Sequence, residues 1–194
     1  MESKSTIKNQ IHQIPAGMMP GDQRTELFAC RNSKKTFFVS NGQTFDFKAL
    51  EPIKKAQIFE QFLKDDIAFS DLKHLPQEEA TEKYAFCIYG AADHVADFTE
   101  SGQLNKSDNF ICSNNCQCLK WRSKSISIDG KSLTAREIQI VNLMASDLAD
   151  KQIASQLEIT ESTLNTHKQH LFEKASVKSK SGLITKAINQ KIIQ

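Results

Sequence analysis

No apolar run in this chain of 194 residues approaches the ~20 residues needed to cross a bilayer. The opening residues, Met1 to Gln10, are polar and lack the apolar core of a secretion signal. The cytoplasm is therefore the expected compartment. Cysteine is scarce and odd in number, at five, which argues against a fully disulfide-bonded secreted module. No Gly-rich phosphate loop, Ser-His-Asp set or carboxylate pair stands out, so no enzyme is expected. No internal repeat is visible.

What is present is a soluble-type composition, 39% hydrophobic and 25% charged, with length for one medium domain or two small ones. The net charge of +2 conceals an asymmetry. Residues 1–110 hold 13 Lys and Arg against 16 Asp and Glu, a balance of −3. From Thr160 onward there are six lysines against Glu161 and Glu173, a balance of +4. A basic end on an acidic body suits a nucleic-acid module attached to something kept off DNA. A solvated helix face gives the same charge pattern.

Residues 1–25 are polar, with Pro15, Gly17, Pro20 and Gly21, and read as a flexible arm. Residues 26–122 read as a small α+β domain. Lys35–Val39 and Gln43–Phe47 flank Ser40-Asn41-Gly42, and Asn-Gly between aromatic and β-branched runs signals a β-hairpin. Phe45 and Phe47 alternate, so that strand is expected to bury one face. Pro52 opens a helix through Leu63, with Ile58, Phe59, Phe62 and Leu63 at helical spacing. A second helical piece is expected around Phe69–His74, ended by Pro76, and the acidic stretch to Lys83 can start a third. Tyr84–Gly90 reads as a buried strand ended by glycine, and residues 91–118 as loop. Residues 123–132, where Ser and Lys alternate with sparse apolar residues, read as a linker or short edge strand.

Residues 133–194 carry the densest signal. Thr134-x-x-Glu137 is a capping box, in which the hydroxyl accepts from a first-turn amide and the carboxylate reaches back to the Thr134 amide. Glu137, Ile140, Val141, Met144 and Leu148 then share a face. A second helix follows Asp147–Ala149, with Ile153, Ala154 and Leu157 inward. Leu157–Thr160 is the turn, and Thr160 can cap a third helix, Glu161–Lys174. There Leu164, His167 and Leu171 share one face, with His167 read as a packed residue rather than a ligand. Ser162, Asn165, Thr166 and Gln169 occupy the other. Asn and Gln can bond adenine bidentately and Thr can offer its methyl to thymine. Lys168 and Lys174 flank that face, where phosphates would lie. A fourth helix starts around Ser179–Ser181, with Leu183, Ile184, Ala187 and Ile188 for packing and Ile192 and Ile193 left for a partner.

From about Lys131 to Ile193 the chain resembles the LuxR-type (GerE-type) DNA-binding domain of bacterial transcription regulators. The resemblance rests on Leu133-Thr134-x-Arg136-Glu137, Lys151-x-Ile153-Ala154-x-x-Leu157-x-Ile159-Thr160, Thr163-Leu164-x-x-His167 and Lys174-x-x-Val177-x-Ser179-Lys180. It implies an all-α four-helix, helix-turn-helix domain that binds double-stranded DNA, usually as a homodimer, and reads the major groove with its third helix. It supports Asn165, Thr166 and Gln169 as base readers, and Lys151, Thr163, Lys168 and Lys174 as backbone contacts. Two departures stand out. The family usually has Gly where Asp147 stands, which makes a left-handed cap costlier, and Ser or Thr where Ala149 stands, which removes a cap worth ~1 kcal/mol. A sigma factor's promoter-reading domain resembles the same module, but no polymerase-binding helical region is recognisable upstream.

The N-terminal part matches none of that domain's usual partners. It lacks the acidic cluster and βα repeat of a phosphorylatable receiver, and residues 1–110 hold no Trp and two Tyr, too few for an acyl-homoserine-lactone sensor. Cys112-x-x-x-Cys116-x-Cys118 is a cluster, and with Cys87 these four thiolates have the makings of a tetrahedral zinc site. The spacing is not the paired Cys-x-x-Cys, and small buried residues or ordinary reduced thiols fit as well. No other cofactor is expected. Cys30 stands apart and reads as core. Asp93, Asp97 and Glu100 read as a solvated acidic group. A metal- or protein-binding sensor whose DNA contact is secondary is the alternative, with an unknown ligand or protein as its signal.

Overall fold

A computed structural model describes residues 14–113 and 116–193. The N-terminal part is α+β and the C-terminal part is all helical apart from one two-residue hairpin. Strands β1 (Glu26–Cys30), β2 (Lys35–Ser40) and β3 (Gln43–Asp46) form an antiparallel sheet in chain order. Leu27 faces Phe38, and Phe38 faces Phe45. The β2–β3 turn is Asn41-Gly42, both at positive φ (50° and 76°), the backbone that a two-residue hairpin needs. The face expected of Phe45 and Phe47 divides instead. The strand stops at Asp46, Phe45 stacks on Phe38 from an exposed position, and Phe47, in a one-turn 3-10 helix, enters the core.

Three helices follow: α1 (Pro52–Lys64), α2 (Asp66–Leu72) and α3 (Gln77–Ile88). Ile58 and Phe62 are the buried apolar residues of α1, while Leu63 faces out. The buried strand expected at Tyr84–Gly90 is the second half of α3, continuous from the acidic first turn at Glu78 and Glu79. An all-apolar run has no period of its own, so a strand and a fully buried helix read alike there. Tyr84, Ala85, Phe86, Cys87 and Ile88 are all buried. At Gly90 the chain passes so close to Phe110 that a Cβ would sit 2.4 Å from its ring.

Of the arm expected over residues 1–25, the first thirteen residues lie outside the described ones. The rest is held to the body. Ala16 is buried and donates its amide to Asp93 O at 2.8 Å, and Thr25 exchanges backbone bonds with Phe98 at 3.1 and 2.9 Å. Asp97, expected in a solvated group, is buried and accepts from Leu27 N at 2.7 Å. Cys30, expected in the core, is half-buried at the end of β1.

The segment after α3 lies along the N-terminal body. Trp121 stacks on Tyr84 and donates to Asp71 Oδ2 at 2.8 Å. Asp65 caps α2 through Ala68 N and also accepts from the amide and hydroxyl of Ser123. Strands β4 (Ser127–Ile128) and β5 (Lys131–Ser132) form a hairpin where a linker or a short edge strand was expected, and Ile126 and Ile128 are buried in the C-terminal core.

That core is built by α4 (Ala135–Met144), α5 (Asp150–Gln156), α6 (Glu161–Lys174) and α7 (Lys180–Asn189). Ile192 and Ile193, expected to await a partner, are buried in it, while Ile188 is exposed. The chain turns back after α7 with Lys191 at positive φ, and Asn109 Nδ2 donates to Gln190 O at 2.9 Å. No helix among the described residues is long and apolar enough to cross a membrane.

Candidate nucleic-acid interface

Local capping sets the orientation of α4, α5 and α6. Thr134 Oγ1 accepts from Glu137 N at 3.2 Å and Glu137 Oε2 accepts from Thr134 N at 2.8 Å, so both halves of the capping box form. Ala149 offers no side-chain acceptor, but Gln152 Oε1 accepts from its amide at 2.9 Å and supplies half of the missing cap. Asp147 is not among the positive-φ residues, so no left-handed cap is required of it. The left-handed residue is Glu158 (φ 52°), in the turn between α5 and α6. Thr160 Oγ1 then accepts from Thr163 N at 3.1 Å and starts α6.

On α6, Leu164 and Leu171 are fully buried and His167 is half-buried. Asn165, Thr166 and Gln169 are exposed on the other side, as are Ser162 and Thr163. The N-terminal body meets this module elsewhere, through Asn109 on Ser127 and Gln190 and through Lys191 Nζ on Ala92 O. The polar face of α6 is therefore open. Thr166 Oγ1 donates back to Ser162 O at 3.2 Å, and that bond must yield before the hydroxyl turns to an outside partner.

The flanking cations differ. Lys151 is exposed at the start of α5 and has no ion pair among those formed by the described residues. Lys168 pairs with Asp150 Oδ2 at 2.5 Å across the α5–α6 corner. Lys174 bonds Glu137 at 2.8 Å and Ser132 O at 3.0 Å, so it closes the end of α6 onto the capping box of α4. Burial raises the Glu137 pKa, but the Lys174 ammonium and the Thr134 amide outweigh it and hold the carboxylate below its ordinary value. The sequence signal for this lock was an acid at an otherwise apolar face position. Nothing local signalled Asp150 as the partner of Lys168.

A second constellation lies apart from this face. Cys87, in the last turn of α3, meets Cys112, Cys116 and Cys118, and all four sulfurs lie within 4.8 Å of one another. Cys87 and Cys118 are buried and the other two are half-buried. Hydrogen bonds among the four split their proton affinities. Cys112 and Cys118 hold the Cys116 thiol down, and Cys112 pushes Cys87 up.

Residues 131–187 match the family described as GerE, bacterial regulatory proteins of the luxR family. The oxygen regulatory protein NreC of Staphylococcus aureus strains JH9, JH1 and Mu3 is 34% identical to this chain over 64 residues. That stretch is 33% of this chain and 30% of each relative, so the chain matches under a third of the relatives' length. No solved structure matches the chain significantly. The compact unit of α4 to α7, with its two capped short helices and its open third helix, is a LuxR-family domain of the GerE type, carried on an N-terminal α+β body.

Proposed function

We propose that this chain is a cytoplasmic, non-enzymatic transcription regulator that binds double-stranded DNA in a sequence-specific manner, as a homodimer, with α6 in the major groove. One observation carries the reading. The apolar side of α6 is consumed by the bundle at Leu164 and Leu171, and the amide- and hydroxyl-bearing side is left exposed. Asn165, Thr166 and Gln169 are the base readers, because their side chains present paired donors and acceptors or a methyl group to a base edge. Lys151 and Thr163 are the phosphate contacts in this reading, because both are exposed in the first turns of α5 and α6. Lys168 and Lys174 reach the phosphates only by leaving, or sharing, their present partners Asp150 and Glu137. The likeness to NreC covers 64 residues, a third of this chain, so the proposal concerns DNA binding and not a response to oxygen.

The test is selection of bound duplexes from a random library by the full chain, repeated with variants. A palindromic consensus is expected, in keeping with a two-fold dimer. Asn165→Ala or Gln169→Ala is expected to relax preference at one position per half-site, at about 1–3 kcal/mol of discrimination each. Lys151→Ala is expected to weaken binding to all sequences alike and to lower the salt slope by about 0.9. Binding untouched by all three substitutions would remove the face assignment.

A further inference from the structure

We propose that Cys87, Cys112, Cys116 and Cys118 hold a single structural zinc ion as a tetrathiolate, stapling the end of α3 to the segment that leads into the DNA-binding module. Ligand type and number come first. Four sulfurs from two separate parts of the chain, 25 residues apart at the nearest (Cys87 to Cys112), converge on one point. Zinc takes four thiolates tetrahedrally at about 2.3 Å, which places the sulfurs roughly 3.8 Å apart along every edge. The observed cage, with a Cys112–Cys118 separation of 3.5 Å and every sulfur pair within 4.8 Å, has that size. A multinuclear iron–sulfur cluster spreads its thiolates over several irons and sulfides and needs a wider cage.

The competing arrangements fit less well. A disulfide between Cys112 and Cys118 needs sulfurs at about 2.05 Å and would leave two further thiols facing it. Plain apolar packing explains a buried cysteine, but not four whose sulfurs gather at one point from a helix end and from a segment 25 residues further along the chain. The one-turn 3-10 helix Gln117–Lys120, which starts directly after Cys116 and contains Cys118, brings these two sulfurs to the same side, where they meet Cys87 and Cys112. A zinc tetrathiolate carries two net negative charges. Lys124 stands beside it with its ammonium bonded to the Cys87 carbonyl. All four coordination positions are filled by protein, so the ion is structural and activates no water.

The experiment is elemental analysis of the full chain, purified under reducing conditions, with thiol titration by a mercurial while released metal is read out. About one zinc per chain is expected, released as four thiols react. Cobalt(II) replacing it should give the intense visible absorption of a tetrahedral tetrathiolate. Cys116→Ser should lower bound zinc to less than about a tenth, while Cys30→Ser, outside the cage, keeps it. Should Cys116→Ser fail to fold, the wild-type stoichiometry and the cobalt spectrum still decide. Folded wild-type protein free of metal, iron in place of zinc, or a Cys112–Cys118 disulfide in the native chain would overturn the proposal. None of these readouts involves DNA, so they are independent of the reading of α6.

Discussion

The two halves of the molecule are stabilised over different distances along the chain. In the LuxR-family module the defining hydrogen bonds are local, with Thr134–Glu137, Ala149–Gln152, Thr160–Thr163 and Ser179–Gly182 each spanning three residues. In the N-terminal body they are long-range. Leu27 bonds Asp97 across 70 residues, Glu26 accepts from Asp97 N across 71, and Thr36 bonds Glu82 across 46. The halves also treat buried acid differently. Glu137 is neutralised by a lysine, whereas Glu26, Asp97 and Asp108 are buried close together and answered mainly by backbone amides. A unit built from local signals can be recognised from sequence and reused on many bodies. A unit built from distant pairings shows little of itself in any one stretch.

The strongest way to break this comparison is to damage one core and ask whether the other notices. Leu171 is fully buried among α4, α6 and α7, and Leu171→Ala should cost about 2–5 kcal/mol. Phe62, packed on Tyr84 and Phe69, should cost about 3–5 kcal/mol on replacement by Ala. The single tryptophan, Trp121, lies in the N-terminal core, so its emission reports that half, while helical circular dichroism reports both. Leu171→Ala is expected to lower the midpoint of the dichroism change more than that of Trp121 emission, and Phe62→Ala to do the reverse. Equal shifts in both signals would show one cooperative unit, joined through Ile111, which belongs to the C-terminal core from the N-terminal side.

The same contrast explains what the sequence disclosed. The bounds of the helix Glu161–Lys174 follow from Thr160 at its start and the basic residue and turn at its end, and the four-helix order follows from the caps. The Asn41-Gly42 hairpin was equally legible, because its turn chemistry is local. Strand β1 was not, since Glu26-Leu27-Phe28-Ala29-Cys30 shows no alternation and its buried glutamate is satisfied by amides near residue 95. Ile192 and Ile193 looked unpartnered because the reversal after α7 depends on a lysine at positive φ and on Asn109, far earlier in the chain. The polar face of α6 was readable as a helix pattern. Of the partners of its flanking lysines, Glu137 was signalled only as an acid on an apolar face, and Asp150 not at all, because that pair arises only when the helices pack.

The buried acids sharpen the comparison through pH, with opposite signs in the two halves. Burial pushes the Glu26 carboxyl up to about 9, with Asp108 and Asp93 adding repulsion. Burial likewise lifts Asp108 to about 7, against the Ala91 amide and the Lys124 charge, and lifts Asp97 well above its usual range. Below the ordinary carboxylate pKa both folded and unfolded chains hold these protons, and nothing is lost. As pH rises from about 4.5 towards 9 the unfolded chain releases protons that the folded chain retains, so these groups destabilise the fold progressively. Glu137 runs the other way. Its contribution is present above its unfolded value and is lost as pH falls through its lowered folded value. Denaturant titrations from pH 5 to 9 should therefore show stability falling with pH. Glu26→Gln should flatten that slope, and Glu137→Gln should leave it, weakening the protein evenly from pH 5 to 9 and less as pH falls below the ordinary carboxylate pKa. A slope unchanged by Glu26→Gln would remove the buried proton from the account.

The smallest expected effect tests whether packing within the module restrains its meeting with DNA. Asp150 is 41% exposed in its side chain and Lys168 is 17% exposed, so their ion pair is worth about 0–1 kcal/mol in stability. Asp150→Asn also removes an acid from the first turn of α5, a further loss of about 0.3–1 kcal/mol. Electrostatically, however, the substitution frees an ammonium beside the reading face. If the proposed DNA role holds, Asp150→Asn should tighten binding to all sequences and steepen the salt dependence by up to about one counterion, while Lys168→Ala should do the opposite. Combining the two should erase the gain, because the aspartate acts only through the lysine it holds. A tighter complex from Asp150→Asn that survives loss of Lys168 would place the effect in the general field of the module and leave Lys168 as a packing residue of the α5–α6 corner.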